Sequence, residues 1–162
     1  MAEIGVLKLL VMDVDGTLTD GKINVGENGE LFKAFDVKDG YAINRILPQC
    51  GIAPVIITNR RSKIVEHRAS ELHIQYLFQG VGDKLAALSD LLDSLHLSFA
   101  NCAYIGDDIN DKECMMKCAL SACPADAVKE VSEIADYVCT KRGGEGAVRE
   151  FIEYLRVRQK GG

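Results

Sequence analysis

Two aspartates stand two residues apart directly after an apolar run, in Leu9-Leu10-Val11-Met12-Asp13-Val14-Asp15-Gly16-Thr17. If the run is a buried strand, side chains two apart point the same way, and Asp13 and Asp15 face one cavity. Carboxylates this close repel one another unless a cation or a division of labour separates them, one an ionised nucleophile and the other an acid/base. Gly16 allows the chain to turn tightly there. Three further segments carry matching chemistry. Thr58, after Val55-Ile56-Ile57, offers a hydroxyl where a helix start would present free N–H groups to an anion; a cap or turn role suits it equally. Lys84 opens a helix, where a cation opposes the helix dipole, so it answers another charge, such as a phosphate. Gly106-Asp107-Asp108-Ile109-Asn110-Asp111 sets three acids after the apolar Tyr104-Ile105, a set suited to a hard cation held by oxygen.

The elements that must position these residues are legible from periodicity. Apolar runs at 53–58, 76–78, 102–105, 120–122 and 137–139 read as strands, in addition to the run before Asp13. Helical patterns fill 39–47 (ended before Pro48), 62–72 with Ser62 as N-cap, 84–95, 111–117, 126–134 and 147–158. Strands alternating with helices predict an α/β, Rossmann-like fold: a central parallel sheet flanked by helices, with ligands beyond the carboxyl ends of its strands. Residues 21–35 alternate on either side of Asn28-Gly29 and predict a projecting β-hairpin. Exposure of Ile23, Val25, Leu31, Phe32 and Phe35 on it would call for a partner subunit.

At 162 residues, one domain over 1–162 is expected. A net charge of −5 disfavours a general nucleic-acid partner. No apolar run reaches membrane-spanning length, and the N-terminus lacks a signal-type segment, so no membrane partner and a cytoplasmic location are expected. The six cysteines form no Cys-x-x-Cys pair and read as reduced thiols rather than a zinc site.

Asp-x-Asp, Thr, Lys and Gly-Asp-Asp, in that order, form a set far more specific than any member. Over nearly its whole length the chain resembles the haloacid dehalogenase superfamily of phosphotransferases. The resemblance implies Asp13 as nucleophile, forming an aspartyl-phosphate, and Asp15 as the acid that protonates the leaving alcohol and then activates water. It implies Mg²⁺ held by the Asp13 carboxylate, the Asp15 backbone carbonyl and Asp107, with Asp108 in support, and a phosphoryl group held by Thr58 and Lys84. About forty residues separate Asp15 from Thr58, which leaves no room for a cap domain.

The stretches Asp13 to Gly21, Val37-Lys38-Asp39-Gly40-Tyr41, Gln79-Gly80 ahead of Asp83-Lys84, and Gly143-Gly144-Glu145-Gly146-Ala147-Val148-Arg149-Glu150 resemble an uncapped branch that acts on phosphorylated sugar acids. That resemblance implies a homotetramer whose hairpins meet centrally, and a pocket lined by Val37, Lys38, Asp39 and Gly40 with Arg60 and Arg68 as substrate cations. Nine-carbon members tend to carry an acid where Arg60 stands, which favours an eight-carbon substrate; a nine-carbon sugar-acid 9-phosphate is the alternative. Phosphoacceptor signalling modules also use Asp, Thr and Lys at strand ends, but they lack an acid two residues after the acceptor, and theirs follows a middle strand. A catalytically silent scaffold would have no use for the intact acid set.

Overall fold

The computed structural model describes residues 5–161. Eight strands and six α-helices follow one another as β1 (Leu9–Met12), β2 (Asn24–Gly26), β3 (Gly29–Phe32), α1 (Val37–Tyr41), β4 (Ala53–Ile57), α2 (Lys63–Glu71), β5 (Tyr76–Phe78), α3 (Lys84–Leu95), β6 (Cys102–Ile105), α4 (Lys112–Lys117), β7 (Leu120–Cys123), α5 (Lys129–Ser132), β8 (Tyr137–Val138) and α6 (Ala147–Lys160). Six strands form one parallel sheet in the order β5-β4-β1-β6-β7-β8. β1 lies between β4 and β6, so successive strands depart from it in both directions. That crossing point is where open α/β sheets leave a crevice.

Every residue of β1 is buried, and alternation divides them between two cores. Leu10 and Met12 join α2, α6 and the turn that follows α1 on one face, through Ile43, Val65, Val148, Phe151 and Leu155. Leu9 and Val11 join α3, α4 and α5 on the other, through Leu88, Leu92, Met115 and Val131. A strand covered on both sides reads as a continuous apolar run, which is why period-two alternation is absent before Asp13.

Several boundaries differ from the sequence expectations. The helix expected to stop before Pro48 instead changes pitch: α1 continues as a π-turn over Ala42–Ile46 and a 3-10 turn over Leu47–Cys50, with Pro48 in its first turn. Proline is tolerated there because that N–H has no partner to lose. α4 starts after a 3-10 turn at Ile109–Asp111, and the helix expected over 126–134 shrinks to α5. The hairpin stands apart as a two-stranded sheet whose turn is Glu27-Asn28, with Gly29 as the first residue of β3. Ile23, Val25, Leu31 and Phe32 are exposed on it as expected; Phe35 is not, and packs against the core beneath Arg68. All six cysteines are free thiols. Among the described residues no helix is long and apolar enough to cross a membrane.

Candidate active site

The first turn beyond β1 is built around buried polar groups. The Asp13 amide still donates to the Ile105 carbonyl of β6, at 3.2 Å, so sheet pairing extends to the residue that leaves the sheet. The amides of Thr17, Leu18 and Thr19 then converge on the Val14 carbonyl at 3.2, 2.9 and 3.1 Å. The Thr19 hydroxyl accepts from the Gly16 and Gly21 amides. Gly16 has φ +93°, and a Cβ on it would overlap the Asp107 carboxylate. Glycine is therefore required for conformation and for the approach of β6's loop. Gly143 and Gly144, ahead of α6, lie close against this turn. A Cβ on Gly143 would collide with the Gly16 carbonyl oxygen. The Gly144 amide donates to the Thr17 carbonyl at 3.2 Å.

Asp13 is 5% exposed and Lys84 3%. Lys84 Nζ donates to Asp13 Oδ1 at 2.9 Å and to Asp111 Oδ1 at 2.8 Å. One carboxylate oxygen from each of Asp13, Asp107 and Asp111 lies within 4.8 Å of the others. Thr17 Oγ1 donates to Asp107 Oδ1 at 3.0 Å. Three acids face one cation here, and the titration behaviour shows the imbalance. Burial lifts Asp13 to about 6, with the Asp111 charge pushing the same way and Lys84 opposing. Burial lifts Asp107 to about 8, reinforced by Asp13. Burial pulls Lys84 down, but Asp13 and Asp111 outweigh it and hold the ammonium above its ordinary value. A cluster that is short of positive charge and rich in carboxylate oxygen fits a divalent hard cation.

The three acids are not equivalent. Asp111 is saturated: Oδ1 accepts from Lys84 and from the Tyr104 hydroxyl at 2.6 Å, and Oδ2 from the Asp107 and Asp108 amides at 3.1 and 3.3 Å. It orients Lys84 and the loop after β6, leaving Asp13 and Asp107 the freer oxygens. Asp108 does not join the trio. Its side chain turns back to the Ile109 amide at 2.7 Å and caps the 3-10 turn, and the residue is exposed. Sequence spacing placed Asp107 and Asp108 together; the turn between them sends the two side chains apart.

Asp15 stands beside this cluster with its own partners. Lys33 Nζ, from just past β3, lies 2.5 Å from Asp15 Oδ1, and Arg60 Nε lies 4.0 Å from Asp15 Oδ2. Little in the sequence marks Lys33. Its only signal is a lone cation within Leu31-Phe32-Lys33-Ala34-Phe35. Thr58, 2% exposed, directly follows β4, which stops one residue before the strand end expected from sequence, with its amide on the Phe78 carbonyl at 2.9 Å. Asn59 Oδ1 accepts from Asn110 Nδ2 at 3.0 Å, which ties the loop after β4 to the loop after β6.

The expected pocket residues divide. Arg60 is half exposed next to Asp15, and Val37 and Lys38 are exposed. Asp39 and Gly40 are buried against α6 and α2. Asp39 Oδ1 accepts from the Arg149 amide at 2.8 Å, while its Oδ2 has no partner among the described residues. Arg68 lies over the Phe35 ring at 5.6 Å and pairs with Glu71 at 3.3 Å, and a Cβ on Gly40 would press into its guanidinium. Asp39, Gly40 and Arg68 thus line a small, mainly apolar cavity with Val14, Ile56 and Val65, instead of standing with Arg60.

Residues 57–152 match the family model described as haloacid dehalogenase-like hydrolase. The chain is 46% identical over 159 residues to the 3-deoxy-D-manno-octulosonate 8-phosphate phosphatase KdsC of Escherichia coli strain B / BL21-DE3, covering 98% of this chain and 84% of that one. A crystal structure of 3-deoxy-D-manno-octulosonate 8-phosphate phosphatase from Yersinia pestis superposes with a TM-score of 0.91 at 44% identity, covering 95% of this chain and 83% of that one. The phosphatase of that name from Moraxella catarrhalis, solved with magnesium ion, phosphate ion and KDO, superposes equally at 0.91, with 41% identity over 95% of this chain and 88% of that one.

Proposed function

The chain belongs to the haloacid dehalogenase-like hydrolases, and on that premise we propose that it is a Mg²⁺-dependent phosphatase that cleaves 3-deoxy-D-manno-octulosonate 8-phosphate to the free sugar acid and phosphate. The observation that carries this reading is the meeting of Asp13, Lys84 and Asp107 at the end of the central strand, with Asp15 beside them. Similarity to phosphatases of that name supports the substrate.

Asp13 attacks phosphorus and the bond from phosphorus to the sugar oxygen breaks. Asp15 gives its proton to the departing oxygen. Water then attacks the aspartyl-phosphate, passing a proton to Asp15, and phosphate leaves with Asp13 restored. Splitting hydrolysis this way lets one acid/base serve both halves. Lys84, held by Asp111, whose carboxylate the Tyr104 hydroxyl steadies in turn, meets phosphoryl charge, and Thr58 supplies a hydroxyl. Asp13 and Asp107, with the Asp15 backbone carbonyl, would hold Mg²⁺, which offsets repulsion between a carboxylate and a phosphoryl dianion. Arg60 gives the substrate side a cation suited to a sugar carboxylate. The exposed hairpin serves a homotetramer.

Comparing kcat/KM on the eight-carbon 8-phosphate with that on a nine-carbon sugar-acid 9-phosphate tests the substrate. The eight-carbon ester is expected to lead; a tenfold lead for the nine-carbon ester, about 1.4 kcal/mol, would overturn it.

A further inference from the structure

Lys33 comes from the hairpin, and no strand of the main sheet supplies it. Its side chain is 2% exposed, although Leu31 and Phe32 beside it are 62% and 55% exposed. A buried ammonium is costly unless paired, and Lys33 is paired twice, to Asp15 Oδ1 at 2.5 Å and to Glu30 Oε1 at 2.9 Å. Glu30 in turn accepts from the Ser62 hydroxyl at 2.5 Å, and Ser62 caps α2. A continuous polar chain therefore runs from the start of α2 through Glu30 and Lys33 to Asp15. Arg60, at 4.0 Å and half exposed, is the weaker partner.

We propose that Lys33 is a positioning residue for Asp15: by holding Oδ1 it presents Oδ2 to the ester oxygen of the substrate and meets the charge left on Asp15 when its proton departs. This rests on the role of Asp15 given above. Seating of the hairpin then becomes a condition for leaving-group departure, because the residue that aims the acid is carried by the hairpin.

The consequence is selective. As the ester bond breaks, its electron pair passes to the leaving oxygen. A sugar alkoxide needs the proton that Asp15 donates, whereas 4-nitrophenolate leaves without one. Lys33→Met keeps the apolar stem and removes the charge; Lys33→Gln serves should that variant fail to fold, and Lys33→Arg is the conservative rescue. With saturating Mg²⁺, kcat/KM is measured for 3-deoxy-D-manno-octulosonate 8-phosphate and for 4-nitrophenyl phosphate. Lys33→Met should lose at least tenfold more on the sugar ester than on the aryl ester, Asp15→Asn should show the same selectivity, and Lys33→Arg should recover part of the sugar-ester rate. Glu30→Ala, which cuts the tether to Ser62 but leaves Lys33 on Asp15, should be far less selective. Equal loss on both esters in Lys33→Met, with selective loss in Asp15→Asn, would reduce Lys33 to a hairpin staple and overturn the proposal. No selectivity in Asp15→Asn would instead overturn the role of Asp15 itself.

Discussion

Asp39 illustrates how far a residue's chemistry depends on what surrounds it. It lies within a stretch that resembles sugar-acid phosphatases, yet the structure buries it, with one oxygen on the Arg149 amide and the other without a partner among the described residues. Burial lifts its pKa from 3.8 to about 7; the Asp36 charge adds to this, and the Arg149 amide, Arg68 and the Arg149 side chain oppose it. The folded chain therefore binds this proton more tightly than the unfolded chain. The resulting stabilisation is complete below the unfolded value and is lost as pH rises through about 7. Asp39→Asn, which keeps an acceptor for Arg149 and removes the charge, should stabilise the protein by about 2–4 kcal/mol at pH 8. The gap in melting temperature should close as pH falls toward 4. A gap independent of pH would show that the Asp39 charge carries no such cost. At this scale the sequence was informative where a residue's type dictates its surroundings, as for Asp13 and Lys84. It does not show where a local turn aims a side chain, as for Asp108, and is silent for Lys33, whose burial depends on how the hairpin folds back.

The element that best explains its own sequence is the glycine-rich run before α6. Gly143 and Gly144 have no Cβ because the turn after β1 occupies that space, and the two segments are joined by the Gly144 to Thr17 hydrogen bond. Glu150, at the start of α6, fixes the other end by accepting from the Thr140 and Lys141 amides and the Tyr137 hydroxyl. Gly143→Ala should push the turn bearing Asp13 and Asp15, costing about 1–3 kcal/mol of stability and lowering kcat more than thermal loss alone explains. Denaturant unfolding paired with steady-state kinetics checks both; unchanged stability and rate would mean the two segments part freely. Strand order could be anticipated only as parallel alternation. Helix ends were less legible, since the π and 3-10 turns after α1 carry apolar residues at spacings that one continuous helix would also show.

Across the whole molecule, one sheet edge gathers Asp13, Thr58, Lys84 and Asp107 from segments up to ninety-odd residues apart in sequence, while the hairpin carries exposed Val25, Leu31 and Phe32 outward. Replacing Leu31 and Phe32 together by serine should shift the protein from the proposed tetramer to smaller species in light scattering; an unchanged mass would place the interface elsewhere. The ordered set of acids, threonine and lysine was readable in sequence because each must sit at a strand end, and the apolar runs mark those ends. What holds them in register, such as Asp111 on Lys84 or Asn110 on Asn59, emerges only once the strands are neighbours. The central claim is that Asp13 makes the bond to phosphorus. The most direct measurement is turnover of the eight-carbon 8-phosphate by Asp13→Asn in saturating Mg²⁺, with circular dichroism to verify folding. Essentially all turnover should be lost, by about 10⁴-fold or more, as expected when a covalent nucleophile is removed. Turnover near that of the unaltered protein would contradict it.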